Sequence, residues 1–263
     1  MTGAAILVDG PFTETKELAG GRWLIQVESM GAATAHVSRA PNPNNICRVA
    51  ARKECMRLIG MLDSPYVRRV AISLDLLGIG FQHESISVFS TFDEFKAINP
   101  VVKAPTLVCG DGAIIMDSSL ILQFAEAEAG RSLFPSEPSL RRHAFAAVGT
   151  ALAGCEKGAQ IVYERSLRPQ AAQYEPWMER VTGQLLAAFG ELEAQVRDRP
   201  EVFGDPAGQA AVTAAVVWGF TQAMLPHLVA APAYPGLAAL AARLEQSAPF
   251  LAYPSAGPGV PGL

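Results

Sequence analysis

The sequence has no excess of positive charge and no long apolar segment. Its formal net charge is −4 and its pI is about 5.6, whereas a protein that binds nucleic acid presents a basic surface. No apolar run approaches the roughly 18 residues that predict a membrane span. The first residues also lack the basic start and long apolar core of a secretory signal. We therefore expect a cytoplasmic protein that has neither nucleic acid nor a membrane as a partner.

Cysteine, histidine and the common catalytic motifs are scarce. The four cysteines are scattered without CxxC or zinc-type spacing, and the four histidines lie far apart and away from any carboxylate cluster. This spacing favours free thiols and predicts no metal site. The chain contains no P-loop, no G-x-G-x-x-G after a strand, no G-x-S-x-G and no H-E-x-x-H. Most easily recognised enzyme classes are thereby excluded.

The composition nevertheless predicts a folded chain with more than one domain. Its 263 residues are 50% hydrophobic and 17% charged, enough for two cores of ordinary size. The pattern changes from mixed to alternating short strands and helices, and then, after a Pro- and Ser-rich linker, to helical periodicity rich in Ala, Leu and Glu. We divide the chain into a partial N-terminal segment (1–55), an α/β domain (56–130), a linker (131–139), an all-helical domain (140–254) and a disordered tail (255–263).

The α/β zone begins with a short apolar strand in "MRLIGML" (56–62). Ser64 then stands at the N-cap of a helix with Pro65 at its first position, and Gly78 ends that helix. The residues 81–88 predict a second, more polar strand. Helix capping alone is enough to explain a Ser-Pro pair at a helix start. Whether Ser64 also has a chemical role therefore depends on the rest of the chain.

The remainder of this zone predicts a short helix, a hairpin and a further helix. "TFDEFKAI" precedes Asn99-Pro100, and two apolar runs flank Gly110-Asp111-Gly112, which is a strong hairpin signal. Asp117 and Ser118 lead into the amphipathic "LILQFAEAEA". The resulting order, β-α-β-α-β-β-α, requires one parallel crossover and a final antiparallel pair, which is the thioredoxin-like layout.

Four stretches of the chain carry a family resemblance. In order, they are "DSPYVRRV", "NPVVKAPTL", "DSSLILQF" and "QIVYERSLRP". Together they resemble the cytosolic glutathione transferases, most closely the serine-type bacterial and tau-like members. The resemblance implies a thioredoxin-like domain that binds glutathione, an all-α domain after it, and a small hydrophobic electrophile in the cleft between them. It also implies a homodimer and no cofactor, since glutathione is a co-substrate.

The resemblance assigns the glutathione site to five residues. Pro105 matches the family's cis-proline, which would leave the backbone of Ala104 to pair with the cysteinyl part of glutathione. Asp117 would accept the α-ammonium of the γ-glutamyl group, while Ser118 and the start of its helix would take the carboxylate. Lys103 is a candidate for the glycyl carboxylate. Ordinary capping, a trans proline and a solvated lysine are the alternative explanations.

Ser64 is the candidate catalytic residue on the same resemblance. Its hydroxyl and the helix dipole would stabilise the glutathione thiolate, and we expect the same hydroxyl to cap the helix. Tyr66 is the rival thiol activator, although its place in the first turn is expected to direct it away from the sulfur. Tyr66, Tyr163 and Arg165 are also candidates for the electrophile site. The alternative function is a non-catalytic binding or regulatory protein with the same fold.

Two features depart from a simple member of that family. The helical domain's core helix has Gly208 and Ala211 where the family has a Ser/Thr-x-x-Asp capping box, a loss that typically costs about 1 kcal/mol. Upstream, "VDGPFTETKELAGGRWLIQVESMGAATAHVSRAP" resembles the DGPF branch of the YCII-related proteins, which are ferredoxin-like α+β domains. Two strands and one helix are expected there. Residues 1–55 are either a fused segment or a remnant upstream of a true start at Met56.

Overall fold

The chain forms two units, which are considered separately. The computed structural model describes residues 5–9, 22–26, 56–257 and 260. The division falls between Met1–Cys55 and Met56–Leu263. In the first unit, β1 (Ala5–Asp9) and β2 (Arg22–Gln26) pair antiparallel. The two strands expected there are confirmed, and the expected helix lies outside the described residues.

The second unit starts with a small mixed sheet and its helices. Their order is β3 (Met56–Ile59), α1 (Pro65–Leu77), β4 (Phe81–Glu84), α2 (Phe92–Ile98), β5 (Thr106–Val108), β6 (Ile114–Ile115) and α3 (Ser118–Ala129). The sheet order is β4-β3-β5-β6, with β3 parallel to β4 and antiparallel to β5, and with β5 antiparallel to β6. This arrangement confirms the predicted thioredoxin-like topology.

Strand β4 is shorter than the prediction of residues 81–88. It ends at Glu84, and Ser87 then starts a turn. The Ser87 N–H donates to the Thr91 hydroxyl at 2.7 Å, and the Ser87 hydroxyl accepts from the N–H of Phe89 at 3.0 Å. Such local side-chain bonds compete with strand pairing. Ile86, Val88 and Phe89 therefore lie outside the strand.

An all-helical domain comes next. It contains α4 (Pro138–Leu167), α5 (Glu175–Asp198), α6 (Gln209–Met224), α7 (Pro235–Leu244) and α8 (Ala248–Ala252). Four residues of α5 recur at helical spacing and form an inner stripe that is buried in the domain core: Val181, Leu185, Phe189 and Leu192. None of the described helices is long and apolar enough to cross a membrane.

Helix α1 joins the two domains of this unit. It is buried on nearly every side, and it packs against both α3 and α6. Arg68 on α1 forms two short bonds to the Glu245 carboxylate, at 2.6 and 2.7 Å, and donates through Nε to the Tyr253 carbonyl at 2.8 Å. These contacts fix the C-terminal helices against the thioredoxin-like domain.

The C-terminal tail differs from the expectation of disorder at one described residue. Val260 is only 9% exposed and packs against the helical core. Apolar burial explains the difference, since a valine in a Gly- and Pro-rich segment needs no secondary structure to contact a core.

Candidate functional site

A cavity of about 590 Å³ lies between the thioredoxin-like and helical domains. Its volume is in the range of small-molecule sites. One wall comes from the loops after β3 and β4 and from the segment before β5. The other comes from α4 and α6. Most of the lining is apolar, and five aromatic residues contribute to it: Tyr66, Phe89, Phe92, Tyr163 and Phe220.

Ser64 lies on this cavity at the N-cap of α1. Its backbone is extended, with φ −71° and ψ 120°, and Pro65 occupies the first helical position as predicted. The side chain makes no capping hydrogen bond. The expectation that the hydroxyl also caps the helix is therefore wrong. The positive end of the α1 dipole lies beside it.

The segment before β5 forms the neighbouring wall. The Ala104–Pro105 peptide bond is cis, as predicted, and Pro105 itself is buried. Ala104 and the exposed Lys103 both line the cavity. Val102, also on the cavity, has a positive φ of 51°, which is uncommon for a β-branched residue. Backbone outliers of this kind concentrate at functional sites.

Asp117 and Ser118 lie at the start of α3 and are not part of the cavity lining. The exposed Asp117 carboxylate caps the helix, since its Oδ1 accepts from the N–H of Ser119 at 2.8 Å and from that of Leu120 at 3.4 Å. Ser118 is 2% exposed, and its hydroxyl accepts from Arg69 at 3.1 Å. The capping alternative thus holds for Asp117. It leaves Oδ2 uninvolved in the cap.

Tyr66 faces the interior from the first turn of α1. Its hydroxyl hydrogen-bonds the Cys155 thiol on α4, and burial is the main reason that the pKa of Tyr66 is raised far above its ordinary value. Burial likewise raises the pKa of Cys155 to about 12. Both groups stay protonated at neutral pH. Tyr66 lines the cavity with part of its side chain, but its hydroxyl is already committed to Cys155.

The two remaining electrophile-site candidates lie in different places. Tyr163 lines the cavity, and its ring meets that of Phe89 edge to face, with centroids 5.7 Å apart. This contact spans the two domains. Arg165 is exposed near the end of α4 and pairs with Glu175 at 2.7 Å. It does not line the cavity, because two residues along a helix turn a side chain to another face.

Sequence reasoning missed several residues that the fold brings to the site. Phe89 and Phe220 line the cavity, but no sequence motif singled them out. Arg69, which donates to the Ser118 hydroxyl, was assigned no role in the sequence analysis. The feature that marks Arg69 is its place in a helix with almost no exposed face. The burial of that helix is visible only in the tertiary structure. Among the described residues, no cluster of His, Cys, Asp and Glu suits a metal ion.

Comparison with known families agrees with this architecture. A family model for the glutathione S-transferase N-terminal domain matches residues 58–133, and one for the C-terminal domain matches residues 175–243. A YCII-related domain model matches residues 1–53. The two transferase matches together span more than half of the chain. The chain belongs to the glutathione S-transferase family, with a YCII-related segment in front, which confirms both resemblances seen in the sequence.

Solved structures share the fold over nearly their full length. A glutathione S-transferase from Methylobacterium radiotolerans, in complex with glutathione sulfonate, has a TM-score of 0.70 and 27% identity, covering 77% of this chain and 96% of that one. A glutathione transferase family member from Pseudomonas fluorescens, with bound glutathione, has a TM-score of 0.64 and 25% identity, covering 75% and 98%.

The match to a curated relative is more local. Probable glutathione S-transferase BZ2 of Zea mays is 35% identical over 94 residues, which is 32% of this chain and 39% of the maize protein. The aligned part of this chain therefore spans well under two thirds of that relative.

Proposed function

We propose that the protein is a glutathione transferase in which Ser64 stabilises the glutathione thiolate for attack on a small hydrophobic electrophile. The observation that carries the proposal is the position of the Ser64 hydroxyl. Ser64 lines the cavity at the N-terminus of α1, and its hydroxyl is not used in a capping bond. A hydroxyl at that place can donate its proton to a sulfur anion.

Two interactions would lower the pKa of the bound thiol. The helix dipole stabilises a nearby anion by up to about 2 kcal/mol, and a hydrogen bond to a charged acceptor contributes about 1.5 to 3 kcal/mol. Discounted for partial exposure, the sum is about 2 to 4 kcal/mol, or roughly 1.5 to 3 pKa units. Since a free thiol titrates at about 8.5, the bound thiol would be largely ionised at neutral pH without a general base.

The tripeptide is proposed to lie along the thioredoxin-like wall. The backbone of Ala104 would pair with its cysteinyl part, and Lys103 at the rim would meet the glycyl carboxylate. At the start of α3, Ser118 would contact the γ-glutamyl carboxylate. The Oδ2 atom of Asp117, which takes no part in the helix cap, would accept the α-ammonium group. The bound glutathione of the Pseudomonas fluorescens relative supports this choice of ligand.

The electrophile is proposed to occupy the aromatic side of the cavity. Tyr163, Phe89 and Phe220 offer ring faces and edges that suit a flat apolar molecule. Tyr66 would contribute apolar surface only, because its hydroxyl is bonded to Cys155. Arg165 has no part in this site.

The test combines binding with turnover. Titration calorimetry with glutathione is expected to show saturable binding, and 1-chloro-2,4-dinitrobenzene is expected to be conjugated in a glutathione-dependent manner. Binding without turnover, over a panel of aryl halides and epoxides, would support the alternative of a regulatory protein that retains the fold. No binding at millimolar glutathione would refute the proposed function and would also favour the non-catalytic alternative.

A further inference from the structure

The five aromatic residues of the cavity are accompanied by negative charge. Three charged residues also line the cavity, and two of them, Asp63 and Glu156, are carboxylates. The third is Lys103, which is proposed to meet the glycyl carboxylate of glutathione. Among the described residues, the cavity wall therefore offers no further positive charge to an electrophile.

Glu156 lies on helix α4 with its carboxylate held through one oxygen. Its Oε1 accepts from the Nε2 of Gln160, one turn further along the helix, at 2.8 Å. Lys157 also contacts Oε1, at 3.2 Å, but does not line the cavity. The Glu156 side chain is 59% exposed, and its Oε2 has no hydrogen bond to any residue in the described ranges. The carboxylate is thus both oriented and open to a ligand.

The two carboxylates already act on groups that line the cavity. Burial is the main reason that the pKa of Tyr163 is raised, and the charge of Asp63 adds to the rise. Burial also dominates the raised pKa of Tyr66, to which Cys155 and then Glu156 contribute. In both cases a carboxylate disfavours a second negative charge. The same field would disfavour an anionic group on the electrophile and favour a cationic one.

Bound glutathione would strengthen this preference. Once its thiol is ionised, glutathione carries three negative charges and one positive charge. In the proposed placement, the glycyl carboxylate meets Lys103 and the α-ammonium meets Asp117, so the sulfur anion adds to the negative charge that the electrophile encounters. Aromatic faces also attract an organic cation. The rings and the carboxylates of this cavity therefore favour the same kind of substrate.

We propose that the electrophile accepted by this cavity carries an alkylammonium group, which binds the carboxylate of Glu156, and that electrophiles carrying a carboxylate are rejected. The inference rests on the proposed function, because it names the charge class of that second substrate. Glu156 is thereby a specificity-determining residue. It contacts a substituent of the electrophile and takes no part in making or breaking bonds.

The experiment compares three electrophiles that share one reacting ring and differ in the charge of a side chain. They are 4-chloro-3,5-dinitrobenzamides whose amide nitrogen carries a 2-aminoethyl, a propyl or a carboxymethyl group. At about pH 7 they are cationic, neutral and anionic. In each, the glutathione sulfur bonds to the ring carbon and chloride leaves with the bonding electrons. Each kcat/KM is divided by the rate constant of the uncatalysed reaction with glutathione, which removes differences in intrinsic reactivity.

We expect the wild type to prefer the cation to the anion by at least about tenfold at low ionic strength, with the neutral amide between them. Raised salt should reduce this preference, since salt screens charges at an open site. Glu156→Gln keeps the size of the side chain and removes its charge, so it should lower the cation-to-anion ratio several-fold. Glu156→Lys should lower the ratio further. Circular dichroism is expected to show both variants folded, because the side chain is largely exposed.

Glu191→Gln is the matched control. On α5, Glu191 accepts from the Nε2 of Gln195 at 2.8 Å, which repeats the geometry of the α4 pair, but neither residue lines the cavity. This variant removes one charge from the same domain and is expected to keep the wild-type ratio. An equal fall of the ratio in Glu191→Gln would overturn the inference, since the net charge of the protein would then explain the preference.

The outcomes separate this inference from the function on which it rests. A wild-type ratio of one or less overturns the charge preference and leaves the transferase proposal intact. An unchanged ratio in Glu156→Gln, alongside a clear wild-type preference, overturns the role of Glu156. Turnover of 1-chloro-2,4-dinitrobenzene without turnover of any of the three amides also overturns the inference, because the cationic amide should be accepted. No glutathione-dependent conjugation of any electrophile refutes the proposed function itself.

Discussion

Replacement of Ser64 by alanine isolates the hydroxyl proposed to stabilise the thiolate. The lost hydrogen bond to a charged sulfur is worth about 1.5 to 3 kcal/mol, which corresponds to a rise of about one to two units in the pKa of bound glutathione. The helix dipole remains. We therefore expect kcat/KM for 1-chloro-2,4-dinitrobenzene to fall about tenfold to hundredfold near pH 6.5, and by less near pH 9, where both thiols are ionised.

The same substitution should leave stability almost unchanged. Loss of a serine cap typically costs about 1 kcal/mol, but the Ser64 side chain makes no capping bond. The melting temperature of Ser64→Ala should thus stay within about 2 °C of the wild type. The ultraviolet absorbance of the bound thiolate, followed as a function of pH, gives its pKa directly. Thermal scans of the same samples supply the stability.

Tyr66→Phe is the control for the rival thiol activator. Its hydroxyl is bonded to Cys155, so its removal should cost about 1 kcal/mol of stability and leave the thiolate pKa unchanged. If Ser64→Ala keeps the wild-type pH profile while Tyr66→Phe shifts it, the assignment is reversed. If both variants keep it, the dipole alone activates the thiol and the hydroxyl has no catalytic role.

Three further changes test the supporting structure. Gly60→Ala should lower the free energy of unfolding by about 2 to 4 kcal/mol in chemical denaturation. The glycine has φ +140°, and a Cβ there would lie 2.6 Å from the Val67 side chain. A variant as stable as the wild type would contradict this packing. Glu245→Ala should lower the free energy of unfolding by about 1 to 3 kcal/mol, since it leaves the guanidinium of Arg68 buried without a counter-charge. Raised salt should not cause the same loss of stability in the wild type. For Cys155, burial holds the thiol pKa at about 12 against an ordinary 9.0, so the unfolded chain ionises first and stability falls as pH rises from 9 to 12. Cys155→Ser should flatten that fall in urea midpoints, and parallel curves for the two proteins would refute the assignment.

Local sequence patterns were sufficient to predict most of the fold. The Ser64-Pro65 start and the Gly78 end of α1 are properties of single residues, and the stripe of α5 follows from helical spacing. The length of β4 was not predictable in this way, because the turn at Ser87 depends on the side-chain bond with Thr91. Periodicity describes which face is apolar. It does not describe the competition between the hydrogen bonds that pair two strands and a hydrogen bond to a nearby hydroxyl.

The residues of the candidate site were predictable only where a single position in the topology determines that a residue reaches the cavity. Ala104 and Ser64 come to the cavity because strand ends and helix starts meet there in this topology. Arg165 and Arg69 show the opposite case. Both are arginines on helices, yet one is exposed in an ion pair and the other is buried on three hydroxyls, and the sequence pattern treats them alike.

Helix capping gives the most instructive pair of differences. Ser64 is a favourable capping residue whose hydroxyl makes no cap, whereas Gly208 offers no side chain at the N-cap of α6, which was expected to weaken that domain. There the N–H of Gln209 donates to the Leu133 carbonyl at 2.9 Å, and that of Gly208 to the Asp205 carbonyl at 3.0 Å. Carbonyls from the linker and from the preceding turn thus satisfy two N–H groups at this helix start, which offsets part of the expected loss. Because a helix start can be satisfied by any acceptor that the fold brings near, the cap of α6 is tertiary, whereas the Ser64 hydroxyl at the start of α1 makes no capping bond.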